Sequence, residues 1–310
     1  MNNLTKIIIS IIILTIIIAV VIVIIVYKKM TRKKHELGNY LSIYFLLLGR
    51  SILLKKNFHH NKSNEDFLKN LPTYIKYKYD DIYNNLIYNN ITLEILDTYT
   101  CKECMWFVYD DIVYTFWLYM KPLVNEILDT ALIKSNLKKE VLYPVIHFRC
   151  ADTPFIKHTH YHFQKYNFYK TALAKINIHM SNPYNKIILL SCNSHRADII
   201  KKDACNIYTD SLSYYLNTIN YTTIIECNSS VEDFATLFYA PAVISIGSSY
   251  SFMSGFFGMG QFISGGHLNE SYIKHDCTLC DDWLITEFDI KHNLIDDYTD
   301  TDNVIKICKS

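Results

Sequence analysis

The chain has 310 residues, 50% of them apolar and 20% charged, with a formal net charge of +1. That apolar content excludes a wholly disordered chain. The near-zero charge offers no basic excess for a phosphate backbone, so no nucleic-acid partner is expected.

The first element is Ile7–Val26, twenty consecutive uncharged residues that are nearly all Ile, Val or Leu. At about 1.5 Å per residue such a helix crosses the roughly 30 Å hydrocarbon layer. Residues 1–30 are therefore expected to be a single-pass membrane anchor, and no small-residue cleavage site follows it. The side of the membrane stays open. Lys28, Lys29, Arg32, Lys33 and Lys34 after the span favour a cytosolic domain, and nine cysteines, an odd number, fit a reducing compartment. Five Asn-x-Ser/Thr sequons, at Asn61, Asn90, Asn220, Asn228 and Asn269, point the other way. They carry little weight alone in a chain so rich in Asn, Ser and Thr.

Residues 31–142 are expected to form a mostly helical N-terminal domain. Leu41, Tyr44, Phe45, Leu48, Ile52 and Leu53 recur at three- and four-residue spacing, which predicts an amphipathic helix opening at Gly38-Asn39. A second span is the rival reading, but Arg50 interrupts it. Residues 61–100 read as irregular or peripheral. Val113, Phe116, Trp117, Met120 and Leu123 predict a second helix.

From residue 143 short apolar runs alternate with helical patterns. VLYPVIHF, KIILLSC, TTIIEC and PAVISIG predict strands, while FYKTALAKI, ADIIKKDA, SLSYYLNTI, VEDFATLFYA and SSYSFMSGFFG predict helical stretches. The alternation implies a doubly wound α/β domain over 143–310. Ligands of such sheets bind at the carboxyl ends of strands, here the loops after Phe148, Cys192 and Gly247.

Two of those loops carry candidate chemistry. HFRCAD, 147–152, ends a strand with Arg149 and Asp152. An arginine fork there can grip phosphate oxygens, but a surface Arg-Asp pair worth under about 1 kcal/mol explains the spacing equally well. Gly247-Ser248-Ser249 precedes a helix, as an anion site or as an ordinary cap. His158, His160 and His162 alternate, and Cys101-x-x-Cys104 and Cys277-x-x-Cys280 could jointly hold zinc. A polar loop and free thiols or disulfides are the rival readings. No Gly-x-Ser-x-Gly elbow occurs.

Together these stretches resemble the fucosyltransferase-like glycosyltransferases. HFRCAD is similar to that superfamily's His-x-Arg-x-x-Asp loop. SVEDFATLFYAPAVISIGSSYSF, 230–252, looks like its acidic helix, strand and serine turn, and LGNYLSIYFLLLGRSIL, 37–53, like its Gly-x-Gly-Asn-Gln-Leu helix. The resemblance implies a GT-B architecture, two Rossmann-like domains behind the transmembrane helix, with the nucleotide sugar held mainly by the second. It implies inverting transfer of fucose from GDP-fucose to a glycan or glycoprotein acceptor, with no metal or other cofactor required. His147 and Arg149 would bind the donor, and Asp233, Ser248, Ser249 and Ser251 would contact or support its nucleotide and phosphates. Asn39 would belong to the acceptor-side domain. No general base is fixed; Asp152 is a candidate, and Arg149 would serve the leaving group. The rival function is a catalytically silent binding or scaffold protein on the same fold, stapled by zinc.

Overall fold

The computed structural model describes residues 37–64, 66–99, 111–147, 166–177, 183–191, 199–245 and 248–264. In chain order, helix α1 (Leu37–Leu53) leads to the short strand β1 (Phe58–His59), a 3₁₀ turn at Asp66–Asn70 and strand β2 (Tyr74–Ile75). Helices α2 (Asp80–Tyr88), α3 (Leu93–Tyr99) and α4 (Asp111–Lys134) follow. Then strands and helices alternate: β3 (Val145–His147), α5 (Tyr166–Asn177), β4 (Lys186–Leu190), α6 (Ile199–Thr218), β5 (Thr222–Glu226), α7 (Ser230–Tyr239) and β6 (Ala242–Ser245). Last come α8, one α turn at Ser249–Ser251 running into a π turn at Phe252–Phe256, and β7 (Gln261–Ser264).

The second half is the doubly wound α/β layer expected from its alternation. Five parallel strands lie in the order β5-β4-β3-β6-β7. Chain progression thus runs outward from β3 in both directions, which is the Rossmann arrangement. The two-residue period of each strand sorts its side chains onto opposite faces. Val145, Ile188, Leu190, Val243 and Phe262 enter one core with α1, α4, α7 and α8. Ile146, Ile187, Leu189, Ala242, Ile244 and Ile263 enter the other, with α5 and α6. Helix α6 is continuous where the sequence suggested two stretches. Strand β7 was not expected at all, because four residues after a Gly-rich turn carry almost no periodic signal.

The N-terminal part is more ordered than its composition suggested. Residues 61–100, read as irregular, contain β2, α2, α3 and the 3₁₀ turn. Their anchors are single apolar residues such as Phe67, Leu86, Ile91 and Leu96, all buried, and spaced too irregularly for a periodic pattern. Helix α1 buries Leu41, Tyr44, Phe45, Leu46, Leu48, Ile52 and Leu53. At about 1.5–3 kcal/mol per large apolar side chain, α1 is an integral layer of the fold. Its Arg50, the residue that argued against a second span, pairs with Asp97 at 2.9 Å on the surface.

Contacts gather the chain from Leu37 onward into one compact unit. Among the described residues there is one parallel sheet; residues 37–134 supply helices and a two-stranded antiparallel ribbon. One hydrophobic cluster runs from α1 and α4 across α7 and α8 to the sheet. Among the described residues one Rossmann-like layer is seen. No described helix is long and apolar enough to cross a membrane, and Ile7–Val26 lies outside the described residues.

Candidate functional site

The crossovers diverge between β3 and β6. From β3 the chain passes to β4 by way of α5 on one face, while β6 is reached by way of α7 on the other. In open α/β sheets a switch point of this kind, at the carboxyl ends of the two strands, is where ligands are taken. The register sets His147 of β3 directly beside Ser245 of β6. Of the predicted residues, Arg149 and Asp152 follow His147 but lie outside the described residues. So do Gly247, the three alternating histidines and all four cysteines of the two Cys-x-x-Cys pairs. Among the described residues no cluster of three or more His, Cys, Asp or Glu side chains could hold a metal ion.

The serine turn is built from its own hydroxyls. Ser248 is extended, with φ −153° and ψ 152°, and its Oγ accepts the Ser251 backbone N–H at 3.1 Å. The Ser251 hydroxyl lies 2.9 Å from that of Ser248 and 2.6 Å from that of Ser245. Ser245 and Ser251 are both fully buried. These three hydroxyls thus satisfy one another and pin the turn to the end of β6, as buried polar groups require. Ser251 supports the turn, and its hydroxyl is fully buried.

Ser249 points elsewhere. Its hydroxyl donates to Oδ1 of Asn39 at 2.6 Å, joining α8 to α1. The residue before Asn39 explains how the two backbones come so close. A Cβ built on Gly38 would lie 2.3 Å from the Tyr250 backbone nitrogen and 2.5 Å from the Ser249 carbonyl carbon. Gly38 and Asn39 were read as a helix start; the structure gives them the work of docking α1 onto the serine turn.

Asp233 is buried in the first turn of α7, 5% exposed. Its Oδ1 accepts from the backbone N–H of Asn228 at 3.2 Å and from the Asn228 amide at 3.1 Å. Burial raises its carboxyl above the ordinary aspartate value, and the Asn228 hydrogen bonds oppose that rise. A capping box between Ser229 and Glu232 closes the same helix start.

Tyr250 ties these parts together, and the sequence reading passed over it. Its ring packs against His147 at 5.5 Å between centroids and edge-on to Phe234 at 5.7 Å. Its hydroxyl donates to the Ser230 carbonyl. Burial pushes the phenol well above the ordinary tyrosine value, and the nearby Asp233 carboxyl adds to the shift. The one sequence signal was its place between the two serines of Ser-Tyr-Ser. The structure therefore brings His147, Ser248, Ser249, Ser251, Asn39 and, through Tyr250, the start of α7 with Asp233 to one end of the sheet.

Cys205 and Cys227 are disulfide-bonded. Cys205 is also fully buried in the α6 core. The odd count of nine cysteines says nothing of which are paired.

No family model, curated protein or solved structure matches this chain.

Proposed function

We propose that this chain is a glycosyltransferase, anchored in a membrane by Ile7–Val26, that moves fucose from GDP-fucose to a glycan or glycoprotein acceptor. The observation that carries the reading is the adjacency of His147 and Ser245 at the switch point of a Rossmann-ordered sheet. That is where such sheets take nucleotides. The Arg149–Asp152 segment leaves the same strand two residues after His147, and the serine turn and Asn39 converge there.

In this reading Arg149 neutralises the donor diphosphate, and His147 helps orient it. The acceptor oxygen forms a bond to the sugar's anomeric carbon as the bond to the diphosphate breaks. The hydroxyl proton passes to a base, for which Asp152 is the candidate, and developing charge on the diphosphate is stabilised by Arg149. Asp233 and the three serines hold the nucleotide side in shape, and the helical part, residues 31–142, faces the acceptor. The resemblance assigns no metal or other cofactor to this step.

The test is thermal unfolding of the detergent-solubilised chain with GDP, UDP or CMP, in wild type and in Arg149→Ala. A ligand at 100 times its Kd adds about 2.7 kcal/mol to stability. Stabilisation by GDP alone, lost in the variant, supports the reading. A folded wild type that no nucleotide stabilises would remove it and leave a scaffold role. GDP binding without transfer from any GDP-sugar would leave a catalytically silent binder.

A further inference from the structure

We propose that the unit from Leu37 onward faces an oxidising, glycosylating compartment and carries N-linked glycans on Asn90 and Asn220. The inference holds whether or not the chain transfers sugar. Its first support is that Cys205 and Cys227 are each held in a disulfide. Disulfides persist where the surroundings are oxidising and are rare in reducing cytosol. Cys205 is fully buried under the sheet beside Tyr208 and Leu212, so its oxidation belongs to the packed core.

The second support is the position of the two acceptor sites. Asn90-Ile91-Thr92 follows the end of α2, and Asn220-Tyr221-Thr222 follows the end of α6. Both asparagines are exposed and both are left-handed, with φ 60° and φ 70°. Such turns after a helix tolerate Asn well. Beside each, the next residue is the anchor: Ile91 is fully buried, and Tyr221 packs against the α6 core. A bulky substituent on either amide therefore projects into solvent, where N-linked glycans belong. Asn228 differs. Its amide nitrogen is turned onto the buried Asp233, and a glycan there would be built against the start of α7.

The lysines and arginine after Ile7–Val26 favour the opposite orientation. That is a bias in how spans insert, whereas a disulfide in the core reports the compartment in which the domain folds. In the modification itself, a lipid diphosphate-linked oligosaccharide is the donor. Its sugar–phosphate bond breaks, the bond from the sugar to Asn Nδ2 forms, and one amide proton leaves.

The test is translation of the full chain with microsomes derived from the endoplasmic reticulum, followed by membrane extraction and peptide N-glycosidase digestion. Integrated chain should drop in mass on digestion. Asn90→Gln and Asn220→Gln should each remove one glycan, and the double variant both. Because the transfer occurs as the chain is translocated, a variant that folds poorly still reports. Peptide mass spectra of chain alkylated under denaturing conditions without reductant should show Cys205 and Cys227 unmodified. Chain that fails to integrate, or integrates without glycan and stays open to added protease, would overturn the proposal. So would glycosylation that neither variant changes, or alkylation of both cysteines.

Discussion

The hydroxyl of Ser249 donates to the Asn39 amide oxygen at 2.6 Å, joining two residues 210 positions apart. The bond lies beside the close approach of α1 to the serine turn at Gly38, and it ties that turn to α1. A double-mutant cycle of Asn39→Ala and Ser249→Ala isolates its worth. A coupling of about 0.5–1.5 kcal/mol is expected from urea unfolding, as for a half-buried neutral hydrogen bond. Additive losses would mean that the two side chains act independently.

Gly38→Ala should cost more than loss of that hydrogen bond. The added carbon meets main-chain atoms of Ser249 and Tyr250 inside 2.6 Å, and the backbone cannot rotate away as a side chain can. Overpacking of this kind costs about 1–3 kcal/mol, and relief requires α1 to move off α8. The check is the urea midpoint of the variant. An unchanged midpoint would mean that α1 does not seat against the turn.

Ser251→Ala separates support from ligand contact. It takes one hydrogen-bond partner each from the buried hydroxyls of Ser245 and Ser248. A loss of about 0.5–1.5 kcal/mol is expected per lost hydrogen bond, while the stabilisation by GDP is retained in the folded variant. The opposite pattern, normal stability with the nucleotide response gone, would make Ser251 a ligand contact.

Asp233 predicts a pH dependence. Burial raises its folded pKa above the unfolded one, so the folded chain holds this proton more tightly. Its contribution to stability is then full below the ordinary carboxylate value of about 3.9, and is lost as pH rises through the raised folded value. Asp233→Asn keeps an oxygen for the Asn228 donors and removes the titration. Wild-type stability relative to this variant should fall as pH rises from about 4 and then level off, in unfolding curves taken across that window. A difference that stays flat with pH would show the carboxyl to be unperturbed.

Much of the second half could be read from local pattern because its physics is local. Apolar runs such as KIILL must be buried on both faces, and helices between them must lie across the sheet. HFRCAD stood out because an arginine after such a run sits where parallel sheets present their loops. The N-terminal half was harder to read. Phe67, Leu86, Ile91 and Leu96 are buried one at a time by partners distant in sequence, so no period announces them. β7 was missed because its four residues are too few to carry a period.

The sequence by itself determined the order of strands and helices in the second half, the face each strand residue takes, and the long apolar run near the amino terminus. These follow from periods of two and 3.6 residues and from hydropathy. Only the tertiary structure decided that β3 and β6 are neighbours, which sets His147 beside Ser245. It alone gave Gly38 and Asn39 to the serine turn and made Tyr250 the bridge between His147 and α7. Each of these is a contact between residues far apart in the chain, set by how whole faces pack and not by the residues beside them.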